Sequence, residues 1–183
     1  SMTTAPTTDT EACVKQCIAI FDAGADYVRL TTQGTREAEN LRNIKAELRK
    51  RGYDRPLVAD VHFNPNVADV AATIVEKVRI NPGNYVDPAR QFKHLEYTDE
   101  EYAAELKRLE QRFTKLLNIC KEHHTALRIG VNHGSLSDRI MCRYGDTPAG
   151  IVESCMEFLR ICVKEHFKDV VISIKASNTQ VMV

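Results

Sequence analysis

Two kinds of hydrophobic pattern alternate along the chain. Stretches with apolar residues at every third or fourth position predict amphipathic helices, and the short apolar runs between them predict buried strands. The second helical stretch, for example, presents Ala38, Leu41, Ile44 and Leu48 on one face. The predicted strands are residues 27–31, 57–61, 77–81, 126–131 and 170–174.

Residues with strong preferences for helix ends mark where the helices begin and stop. Thr8-Asp9-Thr10-Glu11 and Thr98-Asp99-Glu100-Glu101 have the spacing of a capping box, so a helix is predicted to begin at each. Gly24 and Gly52 are predicted to end the first two helices. The other predicted helices begin at Thr35, at Asn64-Pro65 and near Pro148, and the last two helices end near His124 and His166.

The order of these elements restricts the topology. Strands separated by single helices predict parallel pairing with right-handed crossovers, because an antiparallel neighbour needs only a tight turn. A doubly wound sheet and a (β/α)8 TIM barrel both fit this order, although a closed barrel has eight strands and typically about 250 residues. This chain has 183 residues and is predicted to open with a loop and a helix. We therefore expect one α/β domain over residues 1–183 which, if it is a TIM barrel, is incomplete, with about five to six of the eight βα units.

Composition narrows the class of protein. Hydrophobic residues make up 43% and charged residues 27% of the chain, which is typical of a globular domain. The 25 basic and 25 acidic side chains balance, so no overall field attracts nucleic acid or an anionic membrane. The sequence has no apolar run long enough to span a membrane, and residues 1–11 lack the pattern of a secretory signal. Any anion is expected to bind at a local cluster of charges.

The six cysteines show no Cys-x-x-Cys spacing and mostly fall in predicted helices. This usage is typical of free thiols in a reducing compartment, so we expect a cytoplasmic location. Cys13 and Cys17 are four residues apart and could share a metal ion, but two residues are only half of a ligand set. We therefore interpret them as buried structural residues.

The most informative feature is a polar face near the carboxyl end of each predicted strand. Four of the five strands carry an arginine or lysine there, although strands buried in a parallel sheet are normally apolar. A buried cation without a partner costs several kcal/mol, and Asp60 alone cannot neutralise four of them. A polyanionic ligand at the strand ends, such as one with two phosphoryl groups, explains the whole set. Its members are Arg29 and Thr31, Asp60 and His62, Arg79 and Asn81, Arg128 and Asn132, and Ser173, Lys175 and Ser177.

Each of these residues also has an ordinary structural interpretation. Strand-end cations can pair with neighbouring loops, His62 can be a hydrogen-bonded core residue, and Asp60 can be a counter-ion. The turn-rich segments 81–84 and 130–135 contain glycines that let backbone amides approach an anion. Neither segment is a Walker motif, and Gly34 alone does not form a dinucleotide fingerprint, so nicotinamide cofactors are not indicated.

Six segments, which follow one another along nearly the whole chain, carry a specific resemblance. Among them are Leu57-Val58-Ala59-Asp60-Val61-His62-Phe63 and Val78-Arg79-Ile80-Asn81-Pro82-Gly83-Asn84, and the others are residues 1–4, 24–29, 128–136 and 174–177. Together they resemble the 4-hydroxy-3-methylbut-2-en-1-yl diphosphate synthase family (IspG/GcpE). Segments 137–140 and 144–148, with the long helix after Tyr97, are similar to the larger form of the family, which carries an extra insert domain.

This resemblance implies a TIM barrel that binds 2-C-methyl-D-erythritol 2,4-cyclodiphosphate. The family opens this ring reductively in the methylerythritol phosphate pathway of isoprenoid biosynthesis. By the matching motifs, the diphosphate would be held by Arg29, Arg79, Arg128 and Lys175. The ring hydroxyls and phosphates would be placed by His62, Asn81 and Asn132, and Asp60 belongs to the same matching strand as His62.

The resemblance also implies a [4Fe-4S] cluster, ferredoxin or flavodoxin as electron donor, and a homodimeric full-length enzyme. The family holds its cluster with three cysteines and one glutamate of a separate C-terminal domain, and none of the six cysteines here matches those ligands. We therefore expect a barrel fragment, without the insert and cluster domains, that binds substrate but does not reduce it by itself. Two other functions stay open: a dihydropteroate-synthase-like phosphate-binding barrel with non-redox transfer chemistry, and a non-catalytic binding module.

Overall fold

The computed structural model describes residues 1–87 and 96–176, and helices alternate with strands over this part of the chain. No helix within these two ranges is long and apolar enough to cross a membrane. All five predicted strands are confirmed, as β1 (Val28–Thr32), β2 (Leu57–Val61), β3 (Lys77–Ile80), β4 (Ala126–Asn132) and β5 (Val170–Lys175). The helices are α1 (Thr10–Asp22), α2 (Thr35–Lys50), α3 (Pro65–Ala72), α4 (Pro82–Tyr85), α5 (Asp99–His123), α6 (Asp138–Tyr144) and α7 (Pro148–Lys164), with a 3-10 turn at His133–Ser135.

The five strands form one parallel sheet in the order β1-β2-β3-β4-β5. A doubly wound sheet reverses its strand order at a switch point, and this sheet has no such reversal within the described residues. The helices pack side by side in the same succession, α1 on α2, α2 on α3, α3 on α5 and α5 on α7. This arrangement is that of part of a (β/α)8 barrel, which confirms the barrel alternative of the predicted fold class.

Alternation along the strands separates a face covered by helices from a face that looks into the incomplete barrel. In β3, Val78 and Ile80 are buried, whereas Lys77 and Arg79 are half-buried on the opposite face. β1 shows the same alternation. Because successive side chains of a strand point to opposite sides, the apolar residues pack under the helices and the polar ones line the barrel interior.

The core lies between the sheet and the helices, and an aromatic cluster fixes the segment that follows β3. Phe113 of α5 and Phe158 of α7 are fully buried with ring centroids 4.9 Å apart, edge to face. Tyr85, at the end of α4, packs against both rings. Aromatic pairs of this geometry contribute about 0.5–1.5 kcal/mol beyond their area burial. The short helix α4 is thereby anchored to two long helices.

The capping box predicted at the start of α5 is confirmed. The Thr98 hydroxyl accepts a hydrogen bond from the Glu101 N–H at 3.2 Å, and the Glu101 carboxylate accepts one from the Thr98 N–H at 2.9 Å. At the other end His124 adopts a left-handed conformation with φ 54°, which terminates the helix.

The capping box predicted at the start of α1 is wrong by one residue. Asp9, rather than Thr8, is the N-cap, and its carboxylate accepts a hydrogen bond from the Ala12 N–H at 3.0 Å. A carboxylate at this position also interacts favourably with the positive end of the helix dipole, an advantage that a threonine hydroxyl lacks.

The chain opens with a loop before α1, as the sequence predicts, but the first residues of that loop also extend the sheet. Met2 pairs in parallel with Arg29. The Arg29 N–H donates to the Ser1 carbonyl at 2.9 Å, and the Thr3 N–H donates to the Arg29 carbonyl at 3.0 Å. Three residues are too few to show an alternating pattern, so this pairing has no periodic signal in the sequence.

Two short helices lie where the sequence indicates turns and a loop. α4 begins with Pro82 after the N-cap Asn81, and α6 begins after the N-cap Ser137, whose hydroxyl accepts a hydrogen bond from the Ile140 N–H at 3.4 Å. Helices of four and seven residues span two turns at most, so they show little apolar periodicity.

Candidate functional site

The eight residues predicted to bind substrate are brought together at one place. They line an open cavity of about 300 Å³ at the carboxyl ends of the strands, the edge where parallel barrels carry their sites. Ser177, also on the predicted polar face, lies outside the described residues. The eight are Arg29 of β1, Asp60 and His62 of β2 and its loop, Arg79 and Asn81 of β3 and its loop, Arg128 and Asn132 of β4, and Lys175 of β5.

Asp60 is the centre of the charged cluster. Its carboxylate lies 2.9 Å from Arg79 Nη1, 3.3 Å from Arg29 Nε and 3.4 Å from His62 Nε2. Burial works against the charged form of Asp60, but the hydrogen bond to His62 and the charges of Arg79 and Arg29 outweigh it, so the pKa of this carboxyl is lowered. Asp60 therefore stays ionised and fixes the side chains of two arginines at the cavity.

Arg79 is held in place by a second contact that depends on a glycine. Its Nη2 donates to the Gly130 carbonyl at 2.9 Å. A Cβ atom at position 130 would lie 2.4 Å from Arg79 Nε, which is closer than real Cβ contacts. A side chain at position 130 would therefore displace the Arg79 guanidinium, which occupies that space.

The charges in the cavity are unbalanced. Arg128 Nε donates to the Ser173 hydroxyl at 3.0 Å, which is a neutral partner. Lys175 is exposed at the end of β5 and belongs to none of the ion pairs between described residues. Four cations of the cavity thus face one carboxylate, Asp60, among the described lining residues. The excess positive charge suits a ligand with two or more negative charges.

The two predicted asparagines support loops instead of simply projecting into the cavity. The Asn81 side chain is buried, accepts a hydrogen bond from the Gly83 N–H at 3.2 Å, and donates to the Ser135 hydroxyl at 2.7 Å. The Asn132 side chain accepts a hydrogen bond from the Gly134 N–H at 3.4 Å. Each asparagine therefore shapes the turn that follows its own strand.

The loops after β3 and β4 are interlocked. A Cβ atom at Gly83 would lie 1.6 Å from the Ser135 carbonyl oxygen, so only glycine allows the two backbones to approach so closely. Ser135 Oγ also donates to the Asn132 carbonyl at 3.1 Å. Ser135 was missed as a site residue at the sequence level because a serine in a turn is common, and its partner Asn81 is 54 positions away.

Other residues of the cavity also lack a distinctive sequence signal. Phe63, next to His62, is 62% exposed and has φ 61°, an uncommon conformation for a bulky residue. Asn84 and Val131 complete the lining. Only their positions within the segments that carry the family resemblance could have indicated them, because an exposed phenylalanine and a turn asparagine are ordinary in a sequence.

The cysteines do not fit an iron–sulfur cluster. Five are buried and only Cys142 is exposed. Burial raises the pKa of Cys17, Cys120 and Cys162 to about 12, whereas cluster ligands are thiolates. No group of three or more histidine, cysteine, aspartate or glutamate side chains within residues 1–87 and 96–176 could hold a metal ion. Cys13 and Cys17 are both buried in the core beneath the sheet, as expected for structural residues.

These features define the class of protein as a (β/α) barrel domain with a cationic site at its strand ends. The chain belongs to the GcpE TIM-barrel domain family, whose family model matches residues 1–183. The predicted family is confirmed, and the dihydropteroate-synthase-like alternative is not supported.

Curated relatives extend well beyond this chain. It is 75% identical over 183 residues to the 4-hydroxy-3-methylbut-2-en-1-yl diphosphate synthase (flavodoxin) of Phocaeicola vulgatus and 68% identical to that of Parabacteroides distasonis. The chloroplastic, ferredoxin-type synthase of Oryza sativa subsp. japonica is 50% identical over the same length. All of this chain is covered in each comparison, but it spans only 30%, 30% and 25% of these relatives.

One solved structure confirms the fold at low sequence identity. The magnesium complex of β-methylaspartase from Clostridium tetanomorphum superposes with a TM-score of 0.54 at 13% identity. The match covers 96% of this chain and 35% of that enzyme. At this identity the likeness concerns the barrel architecture alone.

Proposed function

We propose that this chain is the substrate-binding barrel of a 4-hydroxy-3-methylbut-2-en-1-yl diphosphate synthase and that its cavity binds 2-C-methyl-D-erythritol 2,4-cyclodiphosphate. The observation that carries the proposal is the convergence of Arg29, Arg79, Arg128 and Lys175 on one open cavity with a single described carboxylate. A cyclic diphosphate supplies the missing negative charge in a compact form. The names of the close relatives support the same substrate class.

Each group has a separate task in this proposal. Arg29 and Arg79, oriented by Asp60, present guanidinium N–H groups that match phosphoryl oxygens in a bidentate manner. Arg128, which lies on β4, and Lys175, which lies on β5, line the other side of the cavity. His62 is held beside Asp60, where its ring can donate to or accept from a polar atom of the ligand.

The turns after β3 and β4 complete the positioning. Asn81 and Asn132 shape these turns, and Ser135 joins them, so that the rim of the cavity is fixed before the ligand arrives. A preformed rim loses less conformational entropy on binding than a mobile one. The barrel thereby holds the ring in one orientation for the chemical step.

The proposed reaction opens the ring reductively: two electrons and two protons enter, a ring C–O bond breaks, and one oxygen leaves as water. Low-potential electrons require a redox group, which in this family is a [4Fe-4S] cluster. Since the described cysteines do not fit such a cluster, we propose that its ligands belong to a separate domain of the full-length protein. By the names of the bacterial relatives, we propose flavodoxin as the electron donor.

The organisation of the full-length protein is also a proposal. Residues 1–183 would form part of one barrel domain, and an insert domain and the cluster domain would account for much of the additional length of the relatives. A homodimer in the cytoplasm is proposed from the family resemblance. Sedimentation of the full-length protein tests the dimer directly.

The test of the function compares binding and turnover. We expect the full-length protein to bind the cyclodiphosphate in calorimetry and to form 4-hydroxy-3-methylbut-2-enyl diphosphate with a reductant. The 183-residue chain should form no product with dithionite once iron and sulfide are removed. Arg36→Ala, on the exposed side of α2, serves as a control for Arg128→Ala. The proposal would be contradicted if the two variants Arg128→Ala and Arg79→Ala both bound the cyclodiphosphate with unchanged affinity. Product from the metal-free chain would also contradict it.

A further inference from the structure

A fifth cation lies on the same inner face, below the candidate site. Lys77 precedes Arg79 by two positions on β3, and the strand register places it between Val58 and Ala126. It lines a second cavity, of about 260 Å³, together with Arg29 and Arg128. Because both arginines also line the candidate site, the two cavities share a wall.

Lys77 has an unusual environment for a lysine inside a strand. It is half-buried, and none of the ion pairs between described residues includes it. Its Nζ lies 4.9 Å from the centroid of the Tyr27 ring. The adjacent Glu76 is engaged elsewhere, with Lys45 at 2.7 Å and with Arg49 at 3.4 Å. A cation–π contact holds an ammonium group but does not cancel its charge.

The interior of a (β/α) barrel is normally filled by bulky, branched apolar side chains. Lys77 therefore occupies a position where a charge costs free energy unless an anion compensates it. Among the described inward-facing strand residues, Asp60 is the carboxylate, and it is already shared by Arg29 and Arg79. The positive electrostatic potential of Lys77 therefore reaches the candidate site, because these residues offer little negative charge to offset it.

We propose that Lys77 is a further determinant of diphosphate binding, which attracts the anion from beneath the site by its charge, without direct contact. This inference rests on the proposed function. Two residues of a strand correspond to about 7 Å, so a phosphoryl group held by Arg79 lies on the order of 10 Å from the ammonium group. For an effective dielectric constant of about 20 to 40, one unit charge at this distance changes affinity about 4- to 15-fold.

The test measures cyclodiphosphate binding by calorimetry in the full-length protein. Lys77→Met removes the charge and keeps much of the side-chain volume, and we expect its Kd to rise about 4- to 15-fold at low salt. Lys77→Arg keeps the charge and should bind within about 2-fold of the wild type. Lys15→Met, which removes an exposed cation from α1, is the matched control and should leave Kd unchanged.

Salt separates an electrostatic role from a packing role. The difference in Kd between wild type and Lys77→Met should narrow between about 50 and 500 mM salt, because screening weakens charge interactions at this range. If Lys77→Met folds poorly, the polar variant Lys77→Gln takes its place. It should show the same rise in Kd that is expected of Lys77→Met. Equal Kd values for wild type and both neutral variants, or an equal loss in Lys77→Arg, would overturn the inference. If Arg79→Ala and Arg128→Ala also bind normally, the proposed function itself fails.

Discussion

The Arg79 side chain lies across the backbone of Gly130. Arg79 Nη2 donates to the Gly130 carbonyl at 2.9 Å, and a Cβ atom at position 130 would approach Arg79 Nε to 2.4 Å. The guanidinium and a side chain at position 130 therefore compete for one space. Since Arg79 also pairs with Asp60 at 2.9 Å, a change at Gly130 is transmitted to the centre of the charged cluster.

Gly130→Ala is expected to displace Arg79 and to raise the Kd for cyclodiphosphate by about 10-fold or more, the effect of losing a hydrogen bond to a charged group. Calorimetry on the full-length protein measures this. Gly134→Ala is the matched control, because the nearest atom to its Cβ, Asn132 Oδ1, would be 4.0 Å away. Equal affinities of the two variants would contradict the assigned role of Gly130.

Asp60→Asn should lower the free energy of unfolding by about 1–3 kcal/mol at pH 7, because Arg29 and Arg79 lose their shared counter-charge. The pKa of Asp60 is lowered in the folded protein, so its stabilising effect is present above the unfolded pKa of about 3.9 and is lost as the pH falls through the folded value. The stability difference between wild type and variant should therefore shrink below about pH 4.

Urea unfolding at several pH values checks this dependence. Asp26→Asn, at an exposed position before β1, serves as the control and should show little change at any pH. A difference between wild type and Asp60→Asn that stays constant down to about pH 2 would mean that the carboxylate charge is not responsible.

Arg128→Ala should weaken cyclodiphosphate binding by about 1.5–3 kcal/mol and leave the melting temperature unchanged or raised. The reason is that Arg128 bonds a neutral hydroxyl, Ser173, and adds a positive charge that none of the ion pairs between described residues offsets. Calorimetry and thermal unfolding on the same preparations separate the two effects. A large loss of stability with normal affinity would make Arg128 a structural residue.

Arg139 and Glu157 form a buried ion pair between α6 and α7, with N–O distances of 2.5 and 2.8 Å. Arg139→Met should destabilise the protein by about 3–5 kcal/mol, because it leaves the Glu157 carboxylate buried without its main partner. The double variant Arg139→Met/Glu157→Met should recover much of this loss. Denaturant unfolding measures both, and equal stabilities of the single and double variants would contradict this account.

Several features of this protein can be predicted because they depend on residues that are close together in the sequence. The five strands and the long helices follow from apolar periodicity, and the start of α5 follows from the Thr98 and Glu101 capping box. The candidate site could be predicted as a set because alternate strand residues share a face, and Arg79 and Asn81 are two positions apart. The exceptions are short: the cap of α1, the pairing of Met2, and helices α4 and α6.

The alternating parallel architecture and the set of polar residues that point into the barrel follow from the amino-acid sequence, since both depend on patterns within a few residues. Three other features emerge only when the chain is folded: the strands run in consecutive order, Asp60 is shared by three partners, and Asn81 binds Ser135. These contacts join residues that are far apart in the chain: Arg79 and Gly130 are 51 positions apart, and no local preference specifies which distant atoms will meet when the strands pair.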